Sequence, residues 1–225
     1  MRILLYGKRA EDIRPQIEKL KIGLVEEHPE VILVYGGDGA MMKAEYDFPG
    51  VPKVLLKGSA ICKRCLPLPN EEILKRVKNG DFEIEEAAAL EVEADGYRSR
   101  GINDIIVHNK DHSRAIRYNL AINGKDMGHE VIGDGIVVAT PYGSTGYYRS
   151  ITHSFFETGI GLAFNNSTEP FNHMVLDDNV VIEARITRGP AVVFADNQKD
   201  FKELDDGGVA IIKKSKNKAR FLKFR

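Results

Sequence analysis

The feature that most constrains the fold is an apolar run at residues 31–35 that ends abruptly in a glycine-rich turn. The run reads VILVY, and three of its five residues are β-branched, which is typical of a strand buried on both faces. Gly36-Gly37-Asp38-Gly39 follows directly, and residues 40–47 are good helix formers. A strand, a glycine turn and a helix together direct backbone N–H groups and a helix N-terminus at an anion. Asp38 either caps that helix or takes part in chemistry beside a phosphate, and this stretch alone leaves both readings open.

The first 82 residues alternate between strand and helix patterns. Strands are predicted at residues 2–6, 31–35 and 51–56, and helices at residues 12–22, 38–47 and 70–79. Pro15 fits only the first turn of its helix, and Gly80 ends the last helix. Alternating strands and helices indicate a parallel sheet with helices packed on it. We therefore expect an open α/β domain over residues 1–82.

From residue 83 onward the pattern changes to alternating apolar and polar residues. Asp95-Gly96 and Asn123-Gly124 each separate two alternating runs, and such dipeptides are strong hairpin signals. Further strands are predicted at residues 135–139, 160–164, 180–186, 191–195 and 209–213. Many strands and few helical patterns predict an all-β sandwich over residues 83–212.

The last segment, residues 213–225, contains seven Lys or Arg residues. A basic tail can bind nucleic acid, but Phe221, Leu222 and Phe224 favour a segment that packs back on the protein. The net charge of the chain is −1, which gives no general attraction to nucleic acid or to a membrane surface. We therefore predict neither nucleic acid nor membrane as a partner.

The hydropathy pattern bears on location. No apolar run approaches the roughly 20 residues that span a bilayer. The apolar part of the N-terminal stretch, residues 3–6, is too short for a signal peptide and fits a first strand. The expected location is the cytoplasm.

Cys62 and Cys65 form a Cys-x-x-Cys pair. Such a pair can be a redox couple, half of a zinc site, or two ordinary reduced thiols. A zinc site needs two more ligands, and His108 and His112 lie too far along the chain for a compact finger. Ordinary reduced thiols are therefore the favoured interpretation.

Two later stretches place polar residues beside buried strands. Asn103-Asp104 precedes an apolar run, where Asn offers a donor and an acceptor and Asp offers oxygens for sugar hydroxyls. Residues 133–150 read GDGIVVATPYGSTGYYRS, which is a turn, a buried strand and a loop of small polar and aromatic residues. Such a loop can surround a nucleobase. It lacks the G-x-S-x-G spacing of a hydrolase nucleophile elbow.

Taken in order, these motifs resemble the NAD kinase family. Its members carry a G-G-D-G turn, an Asn-Glu or Asn-Asp pair and a long G-D-G…T-P-x-G-S-T-A-Y stretch, matched here by residues 36–39, 103–104 and 133–147. Residues 195–198, Ala-Asp-Asn-Gln, are similar to the family's late D-G-Q turn. The resemblance covers the chain from residue 31 to about residue 200. It implies a two-domain fold, in which a Rossmann-like open α/β sheet precedes an all-β sandwich that binds the dinucleotide.

The resemblance also implies a reaction. A phosphoryl group would move from ATP, or from inorganic polyphosphate, to the 2′-hydroxyl of the adenosine ribose of NAD, giving NADP, with Mg²⁺ or another divalent cation as cofactor. Asp38 would be the general base that accepts the ribose proton. No protein ligand of a metal is assigned. The expected donor-phosphate residues are the amides of Gly36 and Gly37 and the cationic side chains of Lys8, Arg9 and Lys57.

The NAD site that the resemblance implies is larger. Asn103 and Asp104 would hold polar edges and ribose of the dinucleotide. In the family, the aspartate that matches Asp134 reaches a dinucleotide bound mainly to a neighbouring subunit. We therefore expect a homo-oligomer, dimer or tetramer, with Asp134 near a subunit interface. The complete expected set is Gly39, Asn103, Asp104, Asp134, Thr145, Gly146, Tyr147 and Ser150.

The chain departs from the family pattern at four places. Ala40 stands where the family usually has Thr, residues 57–65 replace a glycine-rich stretch, and Gly146 replaces the family's usual Ala, which is a mild change. Asn197 replaces the Gly of the late turn, and Asn tolerates the same left-handed conformation. Two alternative functions are therefore retained. One is a non-catalytic dinucleotide-binding or sensor protein, and the other is a different G-G-D-G kinase that acts on a lipid or a sugar.

Overall fold

The protein divides into two compact units in a computed structural model, which describes residues 1–60, 62–170 and 172–225. The first unit contains Met1–Ala87 and Lys218–Arg225, and the second contains Ala88–Asn217. The division therefore falls five residues later than the sequence-based boundary at 82, and the chain returns to the first unit at its end. Residues 213–217, expected to begin a separate C-terminal segment, belong to the second unit.

Secondary structure follows the order of the chain. The strands are β1 (Ile3–Tyr6), β2 (Val31–Gly36), β3 (Lys53–Lys57), β4 (Glu83–Ala87), β5 (Leu90–Ala94), β6 (Tyr97–Gly101), β7 (Asp104–Asn109), β8 (Ile116–Ile122), β9 (Lys125–Gly133), β10 (Gly135–Ala139), β11 (Ile160–Asn165), β12 (His173–Leu176), β13 (Val181–Arg188), β14 (Ala191–Ala195), β15 (Lys202–Leu204), β16 (Val209–Lys214) and β17 (Ala219–Lys223). The helices are α1 (Arg14–Lys19), α2 (Asp38–Asp47), α3 (Asn70–Asn79) and α4 (Tyr147–Thr152). In the described part of the chain, none of the helices combines the length and apolarity needed to cross a membrane.

The first unit is built on a five-stranded sheet with the order β1-β2-β3-β17-β4. β1, β2 and β3 are parallel neighbours, so their carboxyl ends lie at one edge of the sheet. Residues 31–34 of β2 are each no more than 3% exposed, which confirms a strand buried on both faces. Ile13 and Ile17 at α1, and Ile73 and Leu74 on α3, pack in one apolar cluster with residues of β2 and β3.

The end of the chain completes this sheet. β17 pairs in antiparallel fashion with β4 over five residues and touches β3 at Phe221. Leu222 is 4% exposed and joins the core of the first unit. β4 was assigned from the sequence to the β domain, but its partner β17 holds it in the first sheet.

A buried ion pair lies at the end of α2. The Lys53 ammonium group is 2.6 Å from a Glu45 carboxylate oxygen, and neither side chain is more than 3% exposed. Lys53 also donates to the carbonyl oxygens of Phe48 and Val51, and Glu45 accepts from the Gly50 N–H group. The two buried charges are thus paired and hydrogen-bonded, which is the condition under which burial is tolerated.

The second unit is an antiparallel β-sandwich. Its sheets have the orders β12-β11-β10-β7-β14-β15 and β6-β5-β16-β13-β8-β9. Alternate residues of both sheets, such as Val107 of β7 and Val92 of β5, share one apolar core. Asp95, Gly96, Asn123 and Gly124 all have positive φ angles, as hairpin turns with two left-handed residues require.

Two segments differ from the sequence-based expectation. Residues 147–150, expected in a loop, lie in the short helix α4, which at six residues is too short to show helical periodicity in the sequence. The helix expected at 12–22 is an α-helix only over Arg14–Lys19, and a 3-10 turn precedes it at Ala10–Ile13. Pro15 lies in its first turn as predicted.

Candidate functional site

The expected donor-phosphate residues of the first unit follow three neighbouring parallel strands. Lys8 and Arg9 come after β1, Gly36 and Gly37 mark the end of β2, and Lys57 ends β3. The N–H group of Gly58 donates to the carbonyl of Gly36 at 2.9 Å. Because ligands of open α/β sheets bind at the carboxyl ends of the strands, this edge is where a phosphate site is expected.

The glycine turn brings the backbone close to α2. A Cβ atom on Gly36 would lie 2.7 Å from the Cβ of Ala40, a distance that real Cβ atoms do not show. Gly37 is the N-cap residue, with extended backbone angles. The Gly37 carbonyl accepts the first hydrogen bond of this helix, from the N–H group of Ala40. The N–H groups of Asp38 and Gly39 precede that bond, at the helix terminus, where no acceptor exists within the helix. Such amides suit an anion.

Asp38 is the first residue of α2, and its side chain does not cap the helix. One carboxylate oxygen accepts the Lys63 N–H group at 3.1 Å, and the other accepts the Arg64 N–H group at 3.0 Å. The Sγ atom of Cys62 lies 3.7 Å from the second of these oxygens. The capping interpretation of Asp38 is therefore wrong, and the atypical stretch 57–65 contacts the expected base directly.

Cys62 and Cys65 are joined by a disulfide bond. Their Cα atoms are 5.5 Å apart, within the usual range for a disulfide. The interpretation as ordinary reduced thiols is therefore wrong for this structure. The Cys-x-x-Cys spacing alone is compatible with a disulfide, a metal site or free thiols, so it could not decide between them. We call residues Cys62–Cys65 the disulfide loop.

The three expected cations of the first unit are exposed. The Arg9 guanidinium group forms an ion pair with Asp12 at 2.5 Å. The backbone of Lys57 is fixed by Asn70, whose side-chain amide both accepts the Lys57 N–H at 2.8 Å and donates to the Lys57 carbonyl at 2.9 Å. Asn70 was not singled out from the sequence, although it starts α3 beside this strand end.

In the second unit, the Asn103-Asp104 turn is held by a buried carboxylate. Asp196 is 6% exposed. It accepts the Ile102 N–H on one oxygen at 3.0 Å, and the N–H groups of Asn103 and Asp104 on the other at 2.8 and 3.1 Å. A Cβ atom on Gly101 would lie 2.6 Å from that second oxygen, so glycine permits this close approach.

Asp196 was not among the predicted site residues, although the late D-G-Q-like turn was a signal for it. The left-handed residue of this turn is Asp196, with φ of +50°, and not Asn197. The Gln198 side chain extends the same contact, because it accepts from the Ser99 hydroxyl and donates to the Arg100 carbonyl, both at 3.1 Å. Asp196 and Gln198 thus fix the backbone that precedes Asp104.

Two buried carboxyl groups meet at this turn. Burial, and then the charge of Asp196, raise the pKa of Asp104 to about 7. Burial raises the pKa of Asp196 to about 6, and its three backbone hydrogen bonds oppose that rise. Two such carboxyls beside each other mark a functional-site candidate.

The loop after β10 packs on the same turn. Thr140 donates its N–H to the Asn103 carbonyl at 2.9 Å and its hydroxyl to the Ile102 carbonyl at 2.5 Å. A Cβ atom on Gly143 would lie 2.0 Å from the Asn103 carbonyl oxygen. At Gly146, such an atom would be 3.9 Å from the Asn103 side-chain nitrogen. The structure therefore brings Asn103, Asp104 and the 143–146 loop together.

A second polar group in this unit includes Tyr147, Ser150 and Asp134. The Ser150 hydroxyl donates to the Tyr147 carbonyl at 2.7 Å. Asn165 donates to the Tyr147 hydroxyl at 3.1 Å. Burial, followed by the charge of Asp134, raises the pKa of Tyr147.

Asp134 is fixed by two asparagines that the sequence did not single out. Asn109 donates to one of its carboxylate oxygens at 3.2 Å, and Asn166 donates to the other at 3.1 Å. Asn109 is 2% exposed. Asparagines in loops and strand ends are common, so their spacing in the sequence carried no signal.

A metal ion held by the protein needs several His, Cys, Asp or Glu side chains close together. Within residues 1–60, 62–170 and 172–225, no group of three or more His, Cys, Asp or Glu residues is arranged to hold a metal ion. The side chains of these described residues therefore do not form a protein cage for a divalent cation.

Comparison with known proteins decides the family. Residues 102–224 match the ATP-NAD kinase C-terminal domain family, which covers more than half of the chain. This chain belongs to the NAD kinase family. The resemblance found in the motifs is thus confirmed, and the non-catalytic and lipid- or sugar-kinase alternatives are not favoured.

Curated relatives extend the match across most of the chain. An NAD kinase of Clostridium perfringens is 28% identical over 209 residues, which cover 87% of this chain and 75% of the relative. An NAD kinase of Methanopyrus kandleri is 26% identical over 205 residues, covering 87% of this chain and 73% of the relative. These alignments include the first unit as well as the second.

Solved structures confirm the fold class. An NAD kinase from Archaeoglobus fulgidus in complex with ATP superimposes with a TM-score of 0.79 at 22% identity, over 99% of this chain and 94% of that chain. Yeast NADH kinase in complex with NADH also gives a TM-score of 0.79, at 16% identity, over 99% of this chain and 74% of that chain. The α/β unit followed by a β-sandwich is therefore the NAD kinase fold.

Proposed function

We propose that this protein transfers the terminal phosphoryl group of ATP to the 2′-hydroxyl of the adenosine ribose of NAD, giving NADP. The observation that carries the proposal is the position of Asp38 in a member of this family. It lies within the glycine turn at the carboxyl end of β2, as the first residue of α2. A carboxylate beside helix-terminal amides combines a proton acceptor with an anion site.

Asp38 is the proposed general base. It accepts the proton of the ribose 2′-hydroxyl as that oxygen attacks phosphorus. Phosphoryl transfer otherwise depends on positioning and on charge stabilisation. Two sets of groups position the donor phosphates and stabilise their charge: the N–H groups of the 36–39 turn, and the cationic side chains of Lys8, Arg9 and Lys57.

ATP is the proposed donor, in preference to polyphosphate, because a relative of the same fold was solved with ATP. Mg²⁺ or another divalent cation is expected to enter as part of the nucleotide substrate, since Mg²⁺ usually binds through phosphates with only one or two carboxylates. The chemistry that it supplies is neutralisation of phosphate charge. No step of the reaction is assigned to a metal held by the chain alone.

The second unit supplies the proposed dinucleotide contacts. Asn103 and Asp104 hydrogen-bond polar groups and ribose of NAD, from a backbone that Asp196 fixes. Thr145, Gly146, Tyr147 and Ser150 line the proposed adenosine pocket. In the first unit, the backbone of Gly39 is the proposed NAD contact. Asp134 is proposed to reach the dinucleotide bound to a neighbouring subunit of a dimer or tetramer. The proposed location is the cytoplasm.

The proposal is tested by incubating the purified protein with Mg²⁺, NAD and either ATP or polyphosphate, with NADP measured through an NADP-specific dehydrogenase. We expect NADP with ATP, and a fall of about 10²- to 10⁴-fold in kcat for Asp38→Asn, as for loss of a general base. Asp81→Asn is the matched control, because Asp81 is an exposed carboxylate of the same unit. Absence of NADP with both donors would refute the proposed function.

A further inference from the structure

The disulfide loop is the part of the chain that the proposed function leaves without a role. Its two cysteines enclose Lys63 and Arg64, and the N–H groups of these two residues are the ones bound to Asp38. The loop is therefore closed around the donors that engage the expected catalytic base. We propose that Cys62 and Cys65 form a redox-sensitive latch that restrains Asp38 in the disulfide state and releases it on reduction. This inference rests on the proposed role of Asp38.

The contacts of Asp38 explain why the closed loop would restrain it. A carboxylate has two oxygens with about four acceptor positions. Each oxygen already accepts a backbone N–H group, and the sulfur of Cys62 lies 3.7 Å from one of them. A general base must approach the proton that it removes to within hydrogen-bonding distance. The two N–H groups fix the orientation of the carboxylate and fill two of these positions, so the ribose hydroxyl must either reach a remaining position in that fixed orientation or displace a donor of the disulfide loop.

In the disulfide state, the covalent bond opposes displacement of the two N–H donors from Asp38. The disulfide limits the backbone freedom of residues 62–65, so the two N–H groups stay together. Hydrogen bonds to an ionised carboxylate are among the stronger ones in proteins. Opening the ring restores conformational freedom to these residues, which favours departure of both donors.

The chemistry of the switch is ordinary thiol–disulfide exchange with a dithiol reductant. The reductant supplies two electrons and two protons, and the bond between the two Sγ atoms breaks. Each cysteine sulfur gains one electron and one proton to become a thiol, and the reductant becomes a disulfide. Both cysteines are partly exposed, so a reductant can reach them. Disulfides in reducing compartments are usually transient, in catalysis or redox sensing.

The experiment compares NADP formation by the full-length protein before and after dithiothreitol treatment, with the thiol content of each sample measured by alkylation and mass spectrometry. We expect kcat to rise about tenfold or more on reduction, because each charge-assisted hydrogen bond to Asp38 that is released contributes a factor of about that order. The double variant Cys62→Ser/Cys65→Ser is the matched control. It should have the higher kcat with and without dithiothreitol, and its unfolding midpoint verifies that it folds.

A second measurement separates failure of the latch from failure of the proposed function. Amide hydrogen exchange of the peptide that contains Lys63 and Arg64 should be slow in the disulfide state and fast after reduction. If neither state forms NADP, the proposed function fails, and this exchange difference alone decides whether the latch exists. Equal kcat in both redox states, a lower kcat after reduction, or equal exchange rates would each overturn the proposal.

Discussion

Removing the Asp196 carboxylate tests whether the Asn103-Asp104 turn depends on it. The change Asp196→Ala leaves three backbone N–H groups, those of residues 102–104, without their acceptor. The region is closely packed, since Asp196 is 6% exposed and Ile102 is fully buried. We expect a less stable second unit and a turn that holds Asn103 and Asp104 less well.

The expected magnitude follows from the three N–H groups that lose their acceptor. A buried donor left without a partner costs about 1 to 3 kcal/mol. The three bonds share one carboxylate, whose pKa of about 6 already combines the cost of burial with these bonds, so their contributions do not simply add. The expected loss in the free energy of unfolding is therefore about 2 to 6 kcal/mol.

Three variants make the measurement discriminating. Asp196→Asn keeps one carbonyl oxygen and should give an intermediate loss. Gly101→Ala leaves Asp196 in place but puts a Cβ atom 2.6 Å from its carboxylate, and should disturb the same contact. Asp200→Ala alters a neighbouring exposed carboxylate and serves as the control.

The assays are urea unfolding near pH 7 and steady-state kinetics. If the carboxylate acts by holding the turn, the KM for NAD should rise while the KM for ATP stays close to that of the wild-type protein. The loss of stability and the rise in the KM for NAD should be largest for Asp196→Ala, smaller for Asp196→Asn and smallest for the control Asp200→Ala. A loss below 0.5 kcal/mol, on the scale of an ordinary surface substitution (about 0.5 kcal/mol), together with an unchanged KM for NAD in Asp196→Ala, would refute the reasoning.

Two further predictions concern buried charges. The pKa of Asp104 is raised from 3.8 to about 7 in the folded protein. Between these two values the folded state keeps a proton that the unfolded state loses. As the pH rises from about 4 to 7, the free energy of unfolding should therefore fall by up to ~4 kcal/mol relative to that of Asp104→Asn. Urea unfolding of both proteins across this range checks it, and parallel curves would contradict it. Lys53→Met leaves Glu45 buried without its cation and should cost about 3 to 5 kcal/mol, whereas Lys53→Met/Glu45→Leu should recover most of that loss in thermal unfolding. A single variant as stable as wild type would contradict this second prediction.

Local signals explain what could be predicted from the sequence. The β2 strand, the glycine turn and α2 follow from one continuous stretch, residues 31–47. The α3 helix stops at Gly80 as expected, and Gly80 is its C-cap in the left-handed conformation. The two hairpin turns require positive φ angles, which Asn, Asp and Gly tolerate best. These elements depend on backbone preference and on apolar patterning, both of which can be read in a short window.

Contacts between distant residues could not be predicted in the same way. β4 joins the first sheet because Ala219 and its neighbours pair with it, across more than 130 residues of chain. Asp196 reaches the 102–104 backbone from more than 90 residues away. In the sequence, Lys53 is only a cation near the start of a predicted strand. In the structure, its ammonium group is buried and bound to Glu45 and to two carbonyl oxygens. In each case the partner is set by tertiary packing.

The segment that departs from the family pattern is also the segment that hydrogen-bonds the expected base, Asp38. Residues 57–65 lack the family's glycine-rich pattern, and this same stretch supplies two backbone donors to Asp38. A carboxylate in the first turn of a helix is favoured by the helix dipole whether or not the chain is catalytic. The reducible bond closed around both of its donors is the feature that control of the base explains and loss of catalysis does not. Redox dependence of kcat therefore separates these two interpretations of the same contact.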